Sequence, residues 1–209
     1  MLGNLVPGWT PLLDFWFGDI TEEGIATRTK REQWFMPNPD FDRLCAEQFA
    51  PLLRNVEVGA LDSWLTDPRG RLAFIVLTDQ IPRNIYRGTA QAFAWDDLAR
   101  RAAKAGISAG ADQALAWEER SFYYMPFEHS ESIFDQHLAV GLFSQLRDQS
   151  PKHLRNMTGN SLRFAQQHRD IIANFGRFPH RNDVLNRKST AAELAFTAEH
   201  GGFGQNTHS

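Results

Sequence analysis

Three short segments of the sequence combine basic, acidic and imidazole side chains: LTDQIPRN at 77–84, PFEHSE at 126–131 and FPHRND at 178–183. The planar guanidinium group of arginine binds carboxylates and phosphates through paired N–H donors. Histidine exchanges a proton near neutral pH, and its charge and orientation respond to neighbouring carboxylates. These residue types therefore predict recognition of a small anion, with acid–base chemistry as an alternative use.

Two other chemistries have some support from residue types but not from spacing. The segment GISAG at 106–110 matches the G-x-S-x-G pattern of serine hydrolases, with Ser108 as the nucleophile. That pattern needs a strand that enters a strained turn, whereas the preceding residues favour a helix, so we interpret it as a helix stop and loop. Carboxylates and histidines also crowd residues 128–137, but no two histidines there have the spacing of metal ligands on one helical face. We predict no bound metal and no cofactor.

Two polar residues fall on predicted apolar helical faces. His168 shares a face with Phe164 and Ile171, and such a histidine is either a core residue with a satisfied hydrogen bond or part of a site. Asp79 faces the same side as Leu72, and a buried carboxylate needs a cation or hydrogen-bond donors. The candidate cations are Arg83, Arg87, Arg177 and Arg181.

Helix signals recur along the chain, and helices must therefore position these residues. Asn-Pro at 38–39 and Asp-Pro at 67–68 predict two helix starts. We expect Pro51 to kink or divide the first of these helices and Pro82 to end the second, which includes AFIVL at 73–77. Further helices are expected at about 113–124, 129–147, 160–175 and 190–198.

The polar residues after Pro126 also fit the start of a helix. Proline suits a first helical turn, and Glu128 and Glu131 would lie near its positive end. This interpretation leaves His129 unexplained. The polar residues that follow Pro82 and Pro179 are expected in turns between helices, where binding residues often lie.

Composition limits the classes of protein that fit. The chain has 209 residues, of which 42% are hydrophobic, enough for a folded core. Its formal charge of −3 argues against a nucleic-acid partner, and no apolar run is long enough to cross a membrane.

Cys45 is the only cysteine, so no disulfide forms within the chain. Without a recognisable signal peptide, a cytoplasmic protein is expected. We predict one domain over residues 1–200 and a flexible tail at 201–209.

Three longer segments resemble the bacterial family DUF924: LTDQIPRNIYRGTAQAFAWD at 77–96, YMPFEHSE at 124–131 and HRDIIANFGRFPHRND at 168–183. LLDFWFGD at 12–19, PRGRLAFIVL at 68–77 and RKSTAAELAF at 187–196 fit it as well. The resemblance implies an all-α fold, arranged as a tetratricopeptide-like right-handed superhelix of roughly eight to ten helices. The family has no established activity, so it implies no catalytic residue.

We expect the polar positions that match the family to converge on one partly enclosed cavity that binds a small anionic metabolite. Two alternatives stay open for the protein's function. A superhelix of this type would suit a protein or peptide partner, and an enzyme would use His129 or His168 as a general base. An internal salt-bridge network with no ligand would also explain the pattern. The candidate cavity residues are Asp79, Arg83, Asn84, Arg87, His129, Ser130, Glu131, His168, Arg177, His180, Arg181 and Asn182.

Overall fold

The computed structural model of the protein describes residues 8–201, apart from the side chain of Phe35. These residues form helices joined by short turns, and no strand occurs among them, which confirms the predicted all-α fold. The helices are α1 (Thr10–Phe17), α2 (Arg28–Phe35), α3 (Pro39–Glu57), α4 (Pro68–Ile75), α5 (Ile81–Ile85), α6 (Asp96–Ser108), α7 (Trp117–Glu128), α8 (Ile133–Gln149), α9 (Arg155–Phe175) and α10 (Ala191–His200).

The two predicted helix starts are confirmed, and their caps explain them. The side chain of Asn38 accepts hydrogen bonds from the backbone N–H groups of Asp40 and Phe41 at the start of α3. Asp67 caps α4 in the same way. In each case a short polar side chain satisfies N–H groups that have no partner within the helix. α3 continues through Pro51 without division.

The prediction that Pro82 ends the helix is wrong. Residues Val76–Gln80 form a π turn between α4 and α5, and the N–H of Ile81 donates to the carbonyl of Val76, five residues earlier. The wider turn changes the hydrogen-bond register just before Pro82, which has no N–H to donate. The helical path therefore runs from α4 through the π turn into α5, and it carries Asp79 and Arg83.

The prediction that a helix begins at Pro126 is also wrong. α7 begins at Trp117 and runs through Pro126 to Glu128, so the segment FEHSE spans the end of α7 and the turn before α8. Glu119 accepts a hydrogen bond from the backbone N–H of Ala116 at the start of α7. Burial of the aromatic residues around position 123 explains why this stretch stays helical up to the polar residues.

α7 lies in the interior and packs against α4, α6, α8 and α9. Its Phe122 contacts Trp16, Phe17 and Trp34 edge to face, an arrangement that aromatic rings favour. Gly106 lies inside α6 rather than at its end, and a Cβ at this position would meet the hydroxyl oxygen of Tyr123 on α7. α6 ends within GISAG, at Ser108, and Gly110 follows it with a φ of 72°, so a helix stop and loop are confirmed in this segment, although Gly106 is not the stopping residue.

A smaller apolar group lies where α9 ends. Ile171, Ile172 and Phe178 are buried there, with Phe196 of α10 packed against them. This group supports the turn Pro179–Arg181, which carries the third polar segment. No helix within residues 8–201 is long and apolar enough to cross a membrane. The superhelical arrangement and the single domain over 1–200 stay predictions, and residues 202–209 of the predicted tail lie outside the described residues.

Candidate functional site

Asp79 is the centre of the polar residues that the fold brings together. It lies in the π turn and is fully buried. The Nδ1 atom of His129, just after α7, lies 2.9 Å from both carboxylate oxygens of Asp79, and Gln80 also donates to this carboxylate. Burial alone would raise the pKa of Asp79, but Arg83 and His129 outweigh it and lower that pKa below its usual value. Asp79 is therefore a buried anion.

Arg83 pairs with two carboxylates in this arrangement. Its two terminal nitrogens donate to the two carboxylate oxygens of Asp96, over 2.8 and 2.9 Å. One of them also donates to the backbone carbonyl of Asp79 and lies 3.3 Å from its carboxylate. Burial lowers the pKa of Arg83, but the two aspartates outweigh burial and raise it. Arg83 thus holds the start of α6 against the π turn.

Arg181 is buried with much weaker pairing. Its guanidinium group lies between the rings of Phe93 and Phe178, 4.5 and 4.4 Å from their centroids. The closest carboxylate oxygen paired with it belongs to Asp96, at 3.8 Å, and that carboxylate already binds Arg83. Within residues 8–201, the Nε atom of Arg181 has no hydrogen-bond partner. Burial, and then repulsion from Arg83, lower the pKa of Arg181 to about 10.

Three imidazoles surround these charges. The ring of His168 lies 6.4 Å from that of His129 and 5.6 Å from that of Phe178, and His180 lies 5.4 Å from Phe178 on the other side. Burial lowers the pKa of all three histidines, to about 4 for His168 and about 3 for His180. Nearby arginine charges lower these values further. The three rings are therefore neutral at pH 7.

Glu128 completes the group. One of its carboxyl oxygens lies 3.0 Å from Nδ1 of His168, and that nitrogen is also 2.9 Å from the backbone carbonyl of Phe164. Burial raises the pKa of Glu128 to about 8, and the charge of Asp79 adds to this effect. Since Glu128 is protonated and His168 neutral at pH 7, their contact is a hydrogen bond between neutral groups rather than an ion pair.

The structure thus brings together six of the predicted residues from all three polar segments. Two further polar residues and two aromatic rings complete the set, and sequence reasoning had not included these four in the cavity. The sequence did offer a signal for the two rings and for Asp96. Phe93 and Asp96 lie at the end of the segment 77–96, and Phe178 lies in the segment 168–183, both of which resemble the family. The resulting polar cluster consists of Asp79, Arg83, Asp96, Glu128, His129, His168, His180 and Arg181, with Phe93 and Phe178 as its aromatic walls.

The other candidate residues bond outside the polar cluster. Two of them link elements that surround it: Glu131 binds Arg187 and the backbone N–H of Phe178, and Asn182 also binds Arg187. These contacts hold the loop after α9 in place. Their role in binding a ligand stays a prediction. The remaining pairs are Arg87 with Asp42, Asn84 with the backbone of Gln80, Ser130 with Asp135, and Arg177 with Glu193.

Two further observations concern what the site can hold. Within the described part of the chain, no group of three or more His, Cys, Asp or Glu residues is arranged to bind a metal ion. A surface depression of about 260 Å³ lies elsewhere and shares no residue with the polar cluster. It is lined by Trp9, Thr10, Leu13, Asp14, Asp67 and Arg69.

Comparison with known proteins places the cluster in a family. The family model described as bacterial protein of unknown function (DUF924) matches residues 12–201. A solved structure of a protein of unknown function from Agrobacterium tumefaciens, ATU0120, is 34% identical to this chain, with a TM-score of 0.77. The match covers 91% of this chain and 97% of that one. No functionally curated protein matches the sequence.

Proposed function

The chain belongs to the DUF924 family of bacterial proteins of unknown function, and from the chemistry of its polar cluster we propose that it binds a small anion at Arg181. The observation that carries this proposal is the incomplete pairing of a buried cation. Arg181 is 7% exposed, its Nε has no hydrogen-bond partner within residues 8–201, and its nearest paired carboxylate lies at 3.8 Å. Burying an unpaired charge is costly, so an anion that completes the pairing stabilises the folded protein.

The two arginines of the polar cluster have different roles in this proposal. Arg83 binds both oxygens of Asp96 and is held by Asp79, so two carboxylates already balance its charge. Arg181 shares Asp96 only at a longer distance, and it lies close enough to Arg83 for their charges to repel. An added negative charge beside Arg181 would relieve that repulsion.

The walls of the site indicate the kind of anion. Phe93 and Phe178 lie 4.5 and 4.4 Å from the Arg181 guanidinium carbon, so these rings restrict access to the faces of the group and favour a ligand at its edge. The edge of a guanidinium fits a carboxylate, sulfate or phosphate through parallel N–H donors. Because the surrounding residues are buried, the ligand we propose is small, such as a dicarboxylate or inorganic phosphate.

A peptide-binding scaffold is the less supported alternative. It requires recognition side chains on an open groove, whereas Arg83 and Arg181 are 8% and 7% exposed. The burial of both arginines favours an enclosed site.

The proposal is tested by thermal unfolding with phosphate, sulfate or succinate at constant ionic strength. An anion at about 100 times its dissociation constant adds about 2.7 kcal/mol to the unfolding free energy, so at least one anion should raise the melting temperature. Arg181→Met should abolish that shift, because methionine keeps the apolar packing between the rings and removes the charge. Arg147→Met is the control, since Arg147 pairs with Asp148 on the surface and the charge change is the same.

Absence of an anion-specific shift in the native protein would refute the proposal. A shift that survives unchanged in Arg181→Met would place the anion elsewhere and refute it as well.

A further inference from the structure

The Asp79–His129 pair has the geometry of an oriented base. Both oxygens of Asp79 lie 2.9 Å from Nδ1 of His129. Because Asp79 is ionised, it accepts a hydrogen bond, so Nδ1 carries the proton in the neutral ring. The Nε2 atom is then the unprotonated nitrogen, and the side chain of His129 is 17% exposed.

The same ring belongs to the surroundings of Arg181. The ring of His168 contacts both that of His129 and that of Phe178, and Phe178 covers one face of the Arg181 guanidinium. A series of ion pairs also connects His129 and Arg181. Arg83 binds both Asp79, the partner of His129, and Asp96, and Asp96 pairs with Arg181. His129 and Arg181 are thus parts of one enclosed arrangement.

We infer that His129 is the proton acceptor of an enzymatic site, and that its Nε2 removes a proton from an O–H or N–H group of the anion held by Arg181. This inference rests on the anion binding proposed above. In this step the proton moves from the substrate atom to Nε2, and the electron pair of the broken bond stays on the substrate. The new negative charge is stabilised by Arg181, and the new imidazolium faces the carboxylate of Asp79.

His129 fits this role better than His168. The Nδ1 of His129 faces an ionised carboxylate, which both fixes the tautomer and stabilises the charged ring once it forms. The Nδ1 of His168 faces a backbone carbonyl and the protonated Glu128, neither of which offers a negative charge. Asp79 is therefore a positioning residue and His129 the residue that meets the substrate.

His129 must be neutral without ligand for this inference to hold. Asp79 and Asp96 favour the charged ring, while burial and the charge of Arg83 oppose it, and the net effect lowers the pKa of His129. Glu128 is protonated and His168 neutral at pH 7, and Arg181 is positive. The groups around His129 therefore leave its ring uncharged until an anion arrives.

Nitrogen NMR of the histidine rings in the full-length protein provides the test, with His129→Gln used to assign the signals. Without ligand at pH 7, His129 should be neutral and protonated on Nδ1. A charged ring, or a ring protonated on Nε2, would overturn the inference, because neither can accept a proton at Nε2.

The second measurement repeats the pH titration with saturating inorganic phosphate. An anion within about 4 to 6 Å of the ring should raise the pKa of His129 by about 1 to 3 pH units. Phosphate that raises the melting temperature through Arg181 yet leaves His129 unchanged would overturn the base role alone. If phosphate does not shift the melting temperature at all, phosphate is not the bound anion. The proton-acceptor role of His129 toward phosphate is then refuted as well.

Discussion

Replacing Arg83 with methionine should destabilise the protein far more than replacing Arg181, although both arginines are buried in the same polar cluster. Arg83→Met leaves Asp79 fully buried and removes both donors from Asp96. Breaking a buried pair by removing one partner typically costs about 3 to 5 kcal/mol, because the other charge stays behind. In a chain of this size we expect the melting temperature to fall by about 6 to 20 °C.

Arg181→Met removes a charge that the fold barely compensates. Burial and repulsion from Arg83 lower the pKa of Arg181 to about 10, which corresponds to a penalty of roughly 3 kcal/mol for the charged form in the folded protein. Stacking on Phe93 and Phe178 offsets this, at about 0.5 to 2 kcal/mol for each ring. Since the two effects nearly cancel, the unfolding free energy should change by less than about 1 kcal/mol.

Urea denaturation followed by far-ultraviolet circular dichroism, in a buffer free of phosphate and carboxylates, measures both changes. If Arg181→Met is destabilised as strongly as Arg83→Met, Arg181 is a structural member of an internal ion network, and the argument for an anion site is refuted. A loss below about 1 kcal/mol in Arg83→Met would contradict the structural role assigned to Arg83.

Two further substitutions test the pKa of Glu128 and the packing of α6. Burial raises the pKa of Glu128 to about 8 from its ordinary value of 4.5, so between these values the folded protein binds more protons than the unfolded chain, and its stability falls as pH rises. Glu128→Gln should therefore be more stable relative to the native protein at pH 8 than at pH 5 in urea titrations; the same pH dependence in both proteins would contradict the raised pKa. Gly106→Ala should cost about 1 to 3 kcal/mol through overpacking, because its Cβ would clash with the hydroxyl oxygen of Tyr123. Gly159→Ala in α9 is the matched control: nothing lies within 4 Å of its Cβ, and helix propensity should stabilise it by about 1 kcal/mol. Equal melting temperatures for the two alanine variants would refute the close contact.

Local sequence signals were enough to predict the helices but not all of their ends. Asn38 and Asp67 cap helices through their own side chains, so the signal and its cause lie within a few residues. Pro82 was expected to end a helix, and the π turn before it removed that constraint. Pro126 was expected to begin a helix, but the buried face of α7 extends past it. Both errors arise where tertiary packing outweighs a local preference.

The sequence predicted which residues form much of the candidate site, but only some of the partners that they bind. Arg83, His129 and Arg181 come from three distant segments that local sequence identified. Asp96 was not among the predicted cavity residues, yet it is the carboxylate that both arginines share. Nothing in the spacing along the chain shows that two rings would lie against Arg181, because that arrangement exists only after the turn Ala90–Phe93 and the turn Pro179–Arg181 meet.

The helical path through the π turn at Val76–Gln80 makes the site depend on the number of residues in this segment. Successive residues of an α-helix are rotated by about 100°, so deleting one residue between the turn and Arg83 would keep the helix continuous yet rotate the rest of α5 by about that angle. Arg83 would then face away from Asp96, although every side chain of the site was still present. A surface loop would tolerate such a deletion. Here it would separate the carboxylates of Asp79 and Asp96 from Arg83, the cation that they share, while the composition of the polar cluster stayed unchanged.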